Sequence, residues 1–105
     1  MAVMTTTTAS FAHDVLQAEV PVLVDFYADW CNPCRMLSPI IEEVSETRPD
    51  VRFCKVNVDE QMEVAQRYQV SSIPMLLLFH QGKVVDQVVG LQSKSAVLDL
   101  IQQAL

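Results

Sequence analysis

The chain of 105 residues is poor in glycine, in cysteine and in cations, and each scarcity removes a class of explanation. Its two glycines, Gly82 and Gly90, and its five prolines form no Pro/Gly/Ser linker, and no repeat or low-complexity tract breaks the composition. A second domain is not expected. Residues 1–105 read as one domain, since a hydrophobic content of 50% is enough for a single buried core. Seven Lys and Arg against thirteen Asp and Glu leave a net charge of −6, which disfavours general affinity for nucleic acid or anionic lipid and leaves neutral or basic protein surfaces as partners. No apolar stretch approaches the roughly 18 residues that a membrane span requires. The longest, Ile73 to Phe79, stops at His80. The start, from Met1 to Thr8, carries neither the basic region and apolar block of a secretory signal nor the arginines of a transit peptide, so the expected location is the cytoplasm. There, three cysteines are too few for a disulfide scaffold, and a cysteine pair is more often catalytic or metal-binding.

What the chain does contain is a regular alternation of elements. Ser10 is placed to cap a short helix through Ala18. Pro21 to Tyr27 is a β-rich run too apolar for a half-exposed strand, which predicts a central strand covered on both faces. Leu37, Ile40, Ile41 and Val44 recur at helical spacing opposite Glu42, Glu43 and Glu46, with Pro39 expected to kink the helix they define. Arg52 to Val58 reads as a strand and Glu60 to Tyr68 as a helix, which completes a β-α-β unit. Met75 to Phe79 and Lys83 to Val89 form a hairpin around Gly82, and a last helix capped by Ser93 docks Val97, Leu98, Ile101, Ala104 and Leu105. With a first strand in Thr5 to Thr8, the order predicts an α/β fold, a mixed sheet of four to five strands flanked by helices on both faces.

The chemistry concentrates in Cys31-Asn32-Pro33-Cys34, between the central strand and the helix that follows. A helix N-terminus favours an anion, so a thiolate at Cys31 is stabilised there and becomes a competent nucleophile near neutral pH. Pro33 starts the helix at about its own position, which puts Cys31 just outside the first turn and Cys34, the shielded partner, within it. Attack by Cys31 on a substrate disulfide gives a mixed disulfide that Cys34 resolves at high effective concentration. A zinc site would need two further ligands; His13 and His80 lie far apart and Cys54 sits inside a strand, so no metal is expected. Cys54 points inward by the alternation of its strand and behaves as a small hydrophobe. Asp25 interrupts an apolar strand, where an unpaired, desolvated charge costs several kcal/mol. It is either a buried carboxyl beneath the cysteine pair, taking a proton from Cys34, or an ordinary Asp at a strand edge. Lys55 offers a counter-charge from the neighbouring strand, or simply faces solvent. Trp30 is either an exposed platform beside the nucleophile or part of the core. Pro74 fits the first position of a strand, where no ladder N–H is missed.

Three blocks in register, Val24 to Cys34, Lys55 to Asp59 and Ser72 to Phe79, resemble the thioredoxin family over nearly the whole chain. The resemblance implies a thioredoxin fold, a cis bond at Pro74, and Asp25 with Lys55 as a buried pair assisting Cys34. It also implies a client-docking surface from Trp30, Asn32, Pro33, Ile73, Pro74, Val89 and Gly90. No prosthetic cofactor is implied; electrons come from an NADPH-dependent thioredoxin reductase, and the partners are that reductase and oxidised client proteins, met by a monomer. Departures from the family pattern include Asn32 in place of the usual glycine, Tyr27 where tryptophan is common, Met75 for threonine, and Gln69, Ser71 and Ser72 in a usually glycine-bearing stretch. The residues between the cysteines set how far the thiolate is stabilised, so Asn32 bears on redox poise. The leading expectation is a protein-disulfide reductase; the alternatives are a less reducing oxidase or isomerase, and a binding subunit of the same fold without redox turnover.

Overall fold

The computed structural model describes residues 2–105; Met1, included in the expected domain and in the reading of the start, lies outside them. Five strands form one sheet: β1 (Val3–Thr5), β2 (Val22–Tyr27), β3 (Arg52–Asn57), β4 (Met75–His80) and β5 (Lys83–Val89). Their spatial order is β1-β3-β2-β4-β5, with β1, β3 and β2 parallel and β4 and β5 antiparallel to their neighbours. The mixed α/β sheet matches the thioredoxin fold implied by the sequence.

β2 lies at the centre and its alternation builds both halves of the core. Val22, Val24 and Phe26 face a cluster with Phe11, Val15, Val64 and Phe79. That side is covered by a π-helical turn at Ala12–Leu16 and by α2 (Met62–Arg67). Leu23 faces the opposite cluster, where α1 (Asn32–Thr47) contributes Leu37, Ile41 and Val44, and α3 (Lys94–Gln102) contributes Val97, Leu100 and Ile101. Period-two alternation then puts Asp25 and Tyr27 on the α1 side with Leu23. The near-continuous apolar run of β2 therefore reflects burial on both faces, as expected of a central strand.

Two local expectations fail for reasons visible in the hydrogen bonds. The first strand lies at Val3–Thr5 and not at Thr5–Thr8, because Thr6 turns inward and Thr7 and Ser10 bond to each other. Ser10 is not the N-cap of the following helix: its hydroxyl accepts the Thr7 N–H at 3.0 Å, and its backbone carbonyl accepts the Asp14 N–H at 2.8 Å. Ser93 does cap α3, accepting the Ala96 N–H at 3.1 Å. α1 continues through Pro39, at which the helical N–H is missing. The β4–β5 hairpin turns on Gln81 and Gly82, both at positive φ, the conformation that Gly82 provides without penalty. No helix among the described residues is long and apolar enough to cross a membrane.

Candidate active site

The Cys31–Cys34 pair sits where β2 ends and α1 begins, and the two residues are joined as a disulfide with Cα atoms 5.3 Å apart. Cys31 is the N-cap of α1: its backbone is extended, and its Sγ accepts the Cys34 N–H at 3.3 Å. A sulfur that already receives a helix N-terminal N–H is the sulfur best placed to hold negative charge after reduction. Pro33 occupies the first turn, where its missing N–H costs nothing, and Asn32 is the first helical residue, exposed between the cysteines. The pair packs in a small buried cluster with Ala28, against which Tyr27, Val58 and Ile73 lean.

Around the pair stand the residues expected to dock a client. Trp30 is 70% exposed, so of its two readings the structure shows the platform. Its indole N–H donates to Asp59 Oδ2 at 2.8 Å, which fixes the ring beside Cys31. The Ile73–Pro74 bond is cis, Pro74 is buried, and the Ile73 carbonyl lies 3.9 Å from Cys31 Sγ. Gly90, at positive φ, donates its N–H to the Pro74 carbonyl at 2.8 Å, bringing the end of β5 and exposed Val89 to the same rim. The residues expected to dock a client thus come from the loop after β2 with the start of α1, from the loop before β4, and from the end of β5 with the residue after it, gathered at one end of the sheet.

Beneath the pair lies a cavity of about 240 Å³ whose wall includes Asp25, Tyr27, Cys34 and Lys55, with exposed Asp29 and Arg35 at its mouth. Asp25 is 5% exposed, and its Oδ1 has no hydrogen-bond partner among the described residues. Burial pushes its carboxyl up to about 7, against the pull of Lys55, its register neighbour on β3. Near neutral pH such a carboxyl is poised between its two protonation states, as a proton acceptor for a thiol should be. Lys55 is half-buried on the cavity wall, opposite Asp25 in the register of β2 and β3. Cys54 is fully buried, and burial raises its thiol pKa, which disfavours the thiolate there. No group of three or more His, Cys, Asp or Glu that could hold a metal occurs among the described residues.

Sequence reasoning missed Asp59, as the anchor of Trp30, and Tyr27, as a wall of the cavity. Asp59 lies 29 residues from Trp30 and carried no local signal, whereas Tyr27 could have been found by placing it two positions from Asp25 on one strand face.

The family model described as "Thioredoxin" matches residues 2–103. The chain is 44% identical over 100 residues to a "Thioredoxin" of Rickettsia felis, covering 94% of this chain and 95% of that protein. It is 43% identical over 100 residues to "Thioredoxin 1" of Synechococcus elongatus, covering 94% of each. To a "Thioredoxin" of Mycobacterium tuberculosis it is 48% identical over 93 residues, covering 88% of this chain and 80% of the other.

Proposed function

Because this chain belongs to the thioredoxin family and is a thiol–disulfide oxidoreductase, we propose that it acts as a protein-disulfide reductase in which Cys31 attacks and Cys34 resolves. In the reduced form the Cys31 thiolate attacks one sulfur of a client disulfide, forming a mixed disulfide and releasing one client thiolate, which takes a proton from water. Cys34 then gives its proton to the Asp25 carboxylate and attacks Cys31 Sγ. The Cys31–Cys34 bond forms, the mixed disulfide breaks and the second client thiol leaves. The client has gained two electrons and this chain has lost two. The observation that carries the reading is the unpartnered Asp25 carboxyl on the wall of the same cavity as Cys34. Lys55 moderates its proton affinity from the neighbouring strand.

Client chain docks on Trp30, Asn32, Pro33, Ile73, Pro74, Val89 and Gly90, whose rim position, with Trp30 and Val89 exposed, suits an extended peptide. The whole of residues 1–105 serves as one domain, as a monomer in the cytoplasm, where a dithiol of this kind is kept reduced. The disulfide itself carries the electrons without a prosthetic group, and an NADPH-dependent thioredoxin reductase restores the dithiol. Insulin disulfide reduction with dithiothreitol as donor tests the proposal. Wild type should turn over, Cys31→Ser should be inactive, and Cys34→Ser should stall as a mixed disulfide. A folded wild-type protein without turnover would instead support a binding subunit. If turnover is found, equilibration with glutathione separates a reductase from the less reducing oxidase or isomerase that Asn32 between the cysteines suggests as the alternative.

A further inference from the structure

As Cys34 attacks, Asp25 takes its proton and passes it on to solvent within the resolving step, and its surroundings define the route. Its Oδ1 meets no protein donor among the described residues, and it shares with Cys34 the wall of the cavity described above. At about 240 Å³ that cavity has room for several water molecules between the buried carboxyl and the exposed mouth at Asp29 and Arg35. Tyr27 stands on its wall, two residues from Asp25 on the same face of β2 and nearer the solvent end of the strand. A phenol there can both donate and accept a hydrogen bond, which an aromatic hydrocarbon cannot.

We propose that Tyr27 is a positioning residue for the resolving step: its hydroxyl orders the water through which Asp25 passes the Cys34 proton to solvent. The inference rests on the reading of Asp25 as proton acceptor. The groups facing the phenol agree with a donor role. Burial first, then the negative charges of Asp29, Glu60 and Asp25, raise the phenol pKa against the influence of Asn57, so it keeps its proton. Lys55 on β3 and Arg35 on α1 supply the cations of the same cavity. In balance, Cys34 S–H loses a proton to the Asp25 carboxylate, the Cys34 sulfur displaces the client thiolate from Cys31, and the Asp25 acid returns its proton to bulk water. No electrons beyond those of the two disulfides are involved.

The test uses the reduced full-length protein and the aromatic disulfide 5,5′-dithiobis(2-nitrobenzoate), whose coloured thiolate is released once on attack by Cys31 and once on resolution by Cys34. Tyr27→Phe keeps the ring that packs against the cysteine cluster and removes only the hydroxyl. It should leave the first release unchanged and slow the second about tenfold at neutral pH, the effect of losing one hydrogen bond to a charged system. In an Asp25→Asn background the same change should slow the second release no further. A second release as fast as wild type in Tyr27→Phe, or an equal slowing with and without Asp25, would overturn the inference while leaving the Asp25 reading intact. If Asp25→Asn alone resolves at the wild-type rate, the Asp25 reading fails and the role of Tyr27 fails with it.

Discussion

Asp14 and Asp25 both expose little surface, 7% and 5%, yet Asp14 sits in a shallow segment and Asp25 deep beneath α1, and their surroundings treat them in opposite ways. Asp14, in the N-terminal helical turn, receives the Thr6 hydroxyl on Oδ2 at 3.1 Å and has His13 Nδ1 3.2 Å from Oδ1, while Arg52 donates to its backbone carbonyl at 2.8 Å. Desolvation raises its pKa, but the polar contacts of His13, Ser10 and Thr6 outweigh that and the net shift is downward. Asp25 has an oxygen with no partner, and burial wins. Depth and the supply of donors therefore act together on the proton affinity of a carboxyl in this fold: Asp25 lies deep and lacks donors, whereas Asp14 lies shallow and has them. Asp14 is furnished as a structural clip between the segment after β1 and the helical turn, whereas Asp25 is left unsatisfied beside the reacting sulfurs.

The contrast can be broken most severely at Asp25. Its raised pKa means that between about pH 4 and 7 the folded state holds a proton that the unfolded state has released, so stability falls as pH rises through that window. The loss should amount to about 4 kcal/mol, at 1.36 kcal/mol per pKa unit. Urea unfolding of the oxidised protein at both ends of the window should show this component in wild type and not in Asp25→Asn; equal slopes in the two proteins would refute it. Asp14→Ala should act the other way. Removing a satisfied carboxylate strands the buried Thr6 hydroxyl and costs about 1–3 kcal/mol at neutral pH, read from the denaturation midpoint. The smallest effect is expected for Thr6→Val, about 1 kcal/mol, because Asp14 keeps its other contacts. It should also sharpen the comparison by raising the Asp14 pKa. The stability Asp14 supplies is present above its unfolded value and lost as pH falls through the folded one, so acid unfolding of Thr6→Val should begin at higher pH than in wild type.

The sequence revealed most where a residue's role depends on its own neighbours in the chain. The order of elements, the central position of β2, the Ser93 cap and the placement of Cys31 at a helix start follow from periodicity, capping chemistry and Pro33. Ser10 shows the limit of the same logic, because its hydroxyl found Thr7 in the preceding turn in place of a helical N–H, and that turn also displaced the first strand. The cysteine pair and the odd charge of Asp25 were legible as chemistry, but the cavity that links them was not. It is enclosed by side chains from β2, α1 and β3, brought together only by the parallel crossover. Asp59 was hidden for the same reason: its partner is close in space and distant in sequence.

β5 has a consequence for colloidal behaviour. It forms one border of the sheet, with Val84, Val85 and Val89 exposed, and a straight apolar border of this kind invites strands from other molecules to stack on it. Here the pairing with β4 slips between Leu78 and Phe79, so that Val85 has no opposite residue, and such a bulge bends and over-twists its strand. Charged Lys83 and Asp86 flank it, and the net −6 adds repulsion between copies. The bulge and the charges beside it thus oppose stacking of further strands along this border.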